Sequence, residues 1–95
     1  MNRTELTACI AELSALRYTP AGLPALDLML EHSAQLTEAG HLRQVNLKIR
    51  AVALGTQAER LGRQVVGSQW RFQGFLATPR QGRSVVLHIQ EFQQD

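Results

Sequence analysis

Basic residues that can bind phosphate are concentrated in the middle of this chain. Residues 41–83 contain eight lysines and arginines and a single acid, Glu59, whereas residues 1–40 contain two arginines and five acids. Nine of the ten basic residues are arginine, whose planar guanidinium binds phosphate through two hydrogen bonds and stacks on bases. This pattern indicates a surface for a polyanion, although scattered solvated charges would give the same composition.

No motif for catalysis or metal binding accompanies this charge. The chain has no Gly-x-Ser-x-Gly elbow, no Walker loop and no His-Glu-x-x-His pair. Glu31 and His32 are adjacent, so on a strand they point to opposite faces. His32, His41 and His88 do not have the spacing of metal ligands. We therefore expect a binding protein that is not an enzyme and has no metal and no cofactor.

The size of the chain limits it to one domain, which we place at residues 1–95. Its hydrophobic content of 44% is enough for a core. The single cysteine, Cys9, can form no internal disulfide, which indicates a reducing compartment. No segment has the pattern of a signal peptide or a membrane span, so we expect a soluble, cytoplasmic protein.

Strand-like alternation of apolar and polar residues recurs along the chain, and helical spacing appears once. The helical segment has Ala58 and Leu61 on one face, and Thr56 with Glu59 at the spacing of a capping box. Polar connections are predicted at residues 14–24 and 33–40, and the second ends in Ala39-Gly40, which should reverse the chain between antiparallel strands. The predicted strands are residues 4–13, 25–32, 43–52, 69–77 and 84–92. The predicted helix lies within residues 55–65 and is expected to end at Gly62.

This order of elements is that of the OB-fold, an all-β, five-stranded Greek-key barrel with a short helix between strands 3 and 4. An SH3-like barrel lacks that helix and fits less well. Gly74, inside the fourth strand, suits the sharp bends of a small barrel. Trp70 is expected in or beside the core, while the role of Phe75 and the facing of the fifth strand stay open. The expected core consists of Leu6, Ile10, Leu26, Leu28, Leu30, Val45, Leu47, Ile49, Leu61, Phe72 and Leu76.

An OB-fold binds single strands across the exposed face of its second and third strands, between two flanking loops. The third strand alternates between an apolar face and a polar, basic face. Its arginines would contact phosphates or lie flat on bases, while Tyr18 and His41 would offer surfaces for stacking. The expected nucleic-acid site consists of Arg17, Tyr18, Arg43, Asn46, Lys48, Arg50, Arg80 and Arg83.

Three stretches, in this order, resemble the primosomal replication protein N (PriB) family. They are Pro20-Ala-Gly-Leu-Pro24 leading to Leu30-Glu31-His32-Ser33, then Glu38-Ala39-Gly40 with Arg43-Gln44, and finally Val66-Gly67-Ser68 with Gln73-Gly74-Phe75 and Val86-Leu87-His88. The resemblance covers nearly the whole chain. It implies a homodimeric OB-fold protein that binds single-stranded DNA and supports the PriA helicase and other primosome proteins in replication restart.

The resemblance also bears on individual site residues. Arg17 matches a basic position in the loop between the first two strands, and Arg80 and Arg83 lie in a shorter last loop, where the family carries lysines. His41 and Asn46 stand where the family's best-known form has aromatic residues. Because stacking contributes ~1–3 kcal/mol per base, this departure predicts DNA binding that is weaker or more purely electrostatic.

Two other functions stay open at this point. The acidic first forty residues would suit a protein-interaction adaptor with only weak nucleic-acid binding. An RNA-binding OB module is the other alternative, because single-stranded RNA fits the same kind of groove.

Overall fold

Five strands close into a barrel in the computed structural model, which describes residues 1–95. The elements are β1 (Thr4–Leu13), β2 (Arg17–Tyr18), β3 (Pro24–Glu38), β4 (His41–Leu54), α1 (Thr56–Gly62), β5 (Gln69–Ala77) and β6 (Val86–Gln93). In the ring of strands, β1 pairs with β3 and β5, β4 with β3 and β6, and β5 with β6. Only the β4–β6 pair is parallel. This ring confirms the predicted five-stranded OB barrel.

The two halves of β1 pair with different strands, and this closes the ring. Residues 4–9 pair with β5, and residues 9–13 pair with β3. The register shifts between Ile10 and Glu12, a β-bulge that bends the strand between its two partners. The short strand β2 pairs with the start of β3, within the connection that the sequence predicted as a loop.

The core fills the inside of the ring and is closed at one end by α1. Phe72 and Leu87 are fully buried, and so are Ala58 and Leu61 of α1. Burial of each large side chain contributes about 1.5–3 kcal/mol. Six of the expected core residues are buried: Ile10, Leu26, Leu28, Leu30, Leu61 and Phe72. Three more are partly buried and pack against the core: Leu6, Ile49 and Leu76.

No helix of the structure is long and apolar enough to span a bilayer.

Strands β3 and β4 continue beyond the barrel as a hairpin that is longer than the sequence predicted. Fourteen residue pairs run from Ala25–Leu54 to Glu38–His41, so residues 33–38 are strand and their prediction as a connection is wrong, whereas the predicted reversal at Ala39-Gly40 is confirmed. The turn is Ala39-Gly40 alone, with φ of 51° and 80°, the signs that a type I′ turn requires.

The same hairpin corrects two of the expected core positions. Val45 is half-buried, and Leu47 is 41% exposed. Both residues lie on the face of β4 that continues from the barrel interior, but at their level no strand or helix covers that face. Alternation specifies which residues share a face; it does not specify where the covering layer ends.

The helix α1 begins without the predicted capping box. Its N-cap is Gly55, which has φ 67° and makes no side-chain cap, and Thr56 is already helical. The chain leaves β4 in a backbone conformation that L side chains rarely adopt, so a glycine occupies the boundary. The helix ends at Gly62, as the sequence predicted.

A bulge in β6 sets which of its side chains face inward. Gln73 and Gly74 of β5 pair with Glu91 and Ile89, so Gln90 is the extra residue of β6. Leu87, Ile89 and Phe92 therefore all point into the barrel. A Cβ at Gly74 would lie 1.8 Å from the carbonyl oxygen of His88. The two strands can therefore approach this closely only with glycine at this position.

Trp70 lies beside the core, as the sequence predicted. Its ring meets the edge of Phe92, with centroids 5.1 Å apart, and its indole nitrogen donates to Ser68 Oγ at 2.9 Å. Since the side chain is half-buried and its polar atom has a partner, Trp70 serves packing.

Candidate nucleic-acid interface

A groove of about 1210 Å³ crosses the outer face of the barrel. It runs over β1, β3, β4 and β6, and the two predicted loops stand at its ends. Arg17 and Thr19 line it on one side, and Pro79, Gly82 and Arg83 line it on the other. The groove therefore occupies the surface on which OB-folds bind single strands.

One row of side chains crosses the groove as a consequence of strand register. Asp27 pairs with Val52, Val52 with His88, and His88 with Phe75. Residues opposite one another on neighbouring strands project to the same face. All of these except Phe75 line the groove.

A second row, parallel to the first, brings Arg50 into the middle of the groove. Glu12 pairs with Met29, Met29 with Arg50, and Arg50 with Val86. All four residues line the groove. The centre of the site thus combines one cation with apolar side chains, while a carboxylate lies at the β1 end.

Arg17 is held by Asp27 through two hydrogen bonds, one of 2.7 Å from Nε and one of 3.1 Å from Nη2. The hydrogen bond from Arg17 lowers the pKa of Asp27 against a smaller opposing effect of burial, and Arg50 lowers that pKa further. The same hydrogen bond raises the pKa of Arg17. Both groups are charged at neutral pH, and much of the charge of Arg17 is compensated.

Two more of the expected basic residues also have carboxylate partners. Lys48 Nζ lies 3.3 Å from Glu31 Oε1, and Arg43 binds Glu38. Exposed pairs of this kind contribute little to stability, at most about 1 kcal/mol. They do, however, lower the charge that a phosphate would meet.

Three of the expected arginines have no such partner. Arg50, Arg80 and Arg83 are exposed, and none of them forms a salt bridge. Arg50 and Arg83 line the groove, and Arg80 belongs to the same β5–β6 loop. The uncompensated positive charge of the expected site therefore lies in the middle of the groove, at Arg50, and at the end formed by the β5–β6 loop, at Arg80 and Arg83.

The structure does not bring the other expected residues into this groove. Asn46 and Lys48 share a face with Arg50 but lie further along the hairpin, where they line a separate, smaller cleft. Arg43 pairs with Leu36 near the turn and projects from the opposite face of the hairpin. Tyr18 is 66% exposed on β2, outside the groove lining.

Two groove residues were missed or misjudged in the sequence. His88 was considered as a metal ligand and as part of the family resemblance, but not as a site residue. Its ring lies in the groove and stacks on Phe75, with centroids 4.7 Å apart and planes at 9°. Met29 was left out of the expected site, although it pairs with Arg50. The signal for His88 was its alternation with Leu87 and Ile89, which are buried.

The three histidines lie at three different places in the structure. His32 Nδ1 donates to the carbonyl oxygen of Thr7 at 2.6 Å, His41 stands at the hairpin turn, and His88 lies in the groove. Nowhere do three or more His, Cys, Asp or Glu side chains come together as metal ligands would.

Comparison with known proteins identifies the family of this chain. The model of a family described as another single-strand binding protein family matches residues 2–91. The replication restart protein PriB of Bordetella pertussis is 49% identical over 92 residues, which are 96% of this chain and 86% of that protein.

Solved structures resemble the fold over the whole chain. PriB from Ralstonia solanacearum has a TM-score of 0.91 and 37% identity, covering 99% of this chain and 97% of its own. The single-stranded DNA binding protein from Thermus aquaticus has a TM-score of 0.78 and 28% identity, covering 98% of this chain and 49% of its own. The resemblance seen in the sequence is confirmed: this chain belongs to the replication restart protein PriB family, within the single-strand binding proteins.

Proposed function

We propose that this protein binds single-stranded DNA in the groove and acts in replication restart in the cytoplasm. The observation that carries the proposal is the groove itself, in which Arg50 and Arg83 have no carboxylate partner. Membership of a family of replication restart and single-strand binding proteins supports it. Binding, rather than catalysis, is the activity that this arrangement suits.

The composition of the groove favours a single strand over a duplex. Its middle combines the apolar side chains of Met29 and Val52 with the cation of Arg50. A single strand can lay unstacked bases on such a surface while its phosphates meet the arginines. In a duplex the bases are stacked inside, so only the phosphates would make contact.

The first test is a fluorescence-anisotropy titration of a labelled strand of about 30 nucleotides, and of the matched duplex, at several salt concentrations. We expect preference for the single strand and an affinity that falls with salt by about 0.7 log units per phosphate contact. Arg50→Ala and Arg83→Ala should each weaken binding and reduce that slope.

Arg63→Ala is the matched control, because Arg63 is an exposed arginine at the end of α1, outside the groove. It should bind like the unmodified protein. Negligible binding at low salt would refute the proposed function, and an unchanged salt slope in both groove variants would refute the site. Equal affinity for RNA of the same sequence would favour an RNA-binding OB module.

We also propose that the protein assists the PriA helicase, as its family membership suggests. DNA unwinding by that helicase should rise when the protein is added. If Arg50→Ala and Arg83→Ala abolish DNA binding but leave the stimulation intact, the protein acts chiefly as an adaptor. Loss of both together would mean that DNA binding is part of the mechanism.

Homodimerisation is a further part of the proposal, supported by an open strand edge. Residues 4–8 of β1 pair with β5 on one side only, and such an edge can pair with a second copy. Light scattering should give twice the monomer mass. A proline at Thr7, which would interrupt a ladder across that edge, should give monomers.

A further inference from the structure

We propose that the groove contains a site for one nucleobase, stacked on the ring of His88. This inference rests on the proposed function, because it assigns a base-binding role within the same groove. It concerns a residue outside the expected nucleic-acid site, and it supplies an aromatic ring inside the groove, whereas His41 lies at the hairpin turn.

The ring of His88 is held in a defined orientation from one side. Phe75 and His88 are opposite each other on β5 and β6, and their rings stack with planes at 9° and centroids 4.7 Å apart. Phe75 is outside the groove lining, whereas His88 is part of it. Phe75 therefore covers one face of the imidazole and leaves the other face towards the groove.

The space beside that face matches the thickness of one base. Across the groove from His88 lie Val52 on β4 and then Asp27 on β3. Two strand spacings separate the backbones of His88 and Asp27, about 9.5 Å. A flat base in contact with groups on both of its faces needs about 7 Å, at about 3.5 Å per contact.

The floor and the far side of this space suit a base. Val52 is only 9% exposed and is a short apolar floor. The far side is the Arg17–Asp27 pair, whose guanidinium is planar and can lie against a base. Arg50, two residues from Val52 on the same face, lies about 7 Å away along β4, where it can reach a phosphate.

An abasic strand tests the site directly, since it has the same phosphates and no bases. We expect the unmodified protein to bind a thymidine strand more tightly than an abasic strand of equal length, by about five- to a hundredfold per base stacked. His88→Ala should lower affinity for the thymidine strand, leave that for the abasic strand unchanged, and keep the salt slope.

Two further variants separate stacking from folding. His88→Phe should restore the preference for the strand that carries bases, because a phenyl ring offers the same kind of face. Gln90→Ala is the control, since Gln90 is an exposed residue of the same strand outside the groove.

The inference is overturned if His88→Ala weakens both strands equally, or has no effect on the thymidine strand. Failure of the unmodified protein to bind either strand would instead refute the proposed function, so the two failures are distinguishable.

Discussion

Asp27 and Arg17 are ten residues apart in the chain and form a two-point ion pair at the edge of the groove, with nitrogen–oxygen distances of 2.7 and 3.1 Å. This pair makes Arg17 less available to DNA than the sequence suggests. It also places the carboxylate of Asp27 beside the DNA strand that Arg50 would bind, because Arg50 is close enough to lower the pKa of Asp27.

We expect Asp27→Asn to bind single-stranded DNA several-fold more tightly than the unmodified protein. The substitution removes a negative charge from the groove and frees the guanidinium of Arg17 for one more phosphate contact. The salt slope should steepen by about 0.7. Titration at several salt concentrations measures both effects.

A double-mutant cycle shows whether Arg17 is the residue released. Arg17→Ala should cost little affinity in the unmodified protein and should cancel the gain in the Asp27→Asn background. Glu38→Gln is the matched control, because it frees Arg43 on the opposite face of the hairpin. If Glu38→Gln raises the affinity for DNA as much as Asp27→Asn does, the bound DNA also contacts the hairpin.

The same pair predicts a contribution to stability in acid. The pKa of Asp27 is lower in the folded protein than its ordinary value, so its stabilising effect is present above about pH 4. The effect is lost as the pH falls through the lowered folded pKa. Urea unfolding of Asp27→Asn should therefore show a smaller loss of stability below pH 4 than the unmodified protein. Identical acid profiles would contradict this expectation.

The barrel was predictable because its strands alternate over an interior that covers them. Leu26, Leu28 and Leu30 follow a period of two and are all buried, and α1 lies between the third and fourth strands of the ring. The ends of β3 and β4 were not predictable, because the alternation of Val45 and Leu47 continues after the covering layer has ended.

The residues of the candidate site were harder to predict from the sequence than the barrel was. Eight residues were grouped by charge and loop position, but charge compensation depends on cross-strand register. Arg17 meets Asp27 only because β2 pairs with β3, and Lys48 meets Glu31 only across the β3–β4 hairpin. The ring of His88 enters the groove because Leu87 and Ile89 on either side of it face the barrel interior. Phe92 also faces inward, through the bulge at Gln90, so alternation along β6 alone left the facing of the strand open.

An aromatic residue at the hairpin should increase affinity without changing the salt dependence. Asn46 is exposed and lies on the same face as Arg50. Asn46→Trp should gain about 1–3 kcal/mol of binding free energy if a base reaches it, whereas Asn46→Leu, which adds apolar area without a ring, should gain less. Equal effects of the two variants would mean that no base stacks there.

Gly74 offers the sharpest test of how the fold positions the site. Its added Cβ would lie 1.8 Å from the carbonyl oxygen and 2.8 Å from the carbonyl carbon of His88. Since both atoms are backbone, β6 must move. We expect Gly74→Ala to lose about 3 kcal/mol or more of unfolding free energy, at the upper end of the cost of overpacking, and to weaken DNA binding by displacing His88.

Gly62→Ala is the matched control, because Gly62 is helical and nothing lies within 4 Å of a Cβ at that position. Urea unfolding of this variant should show equal or slightly greater stability. A stable Gly74→Ala variant with unchanged affinity would mean that β5 and β6 can separate without moving the groove.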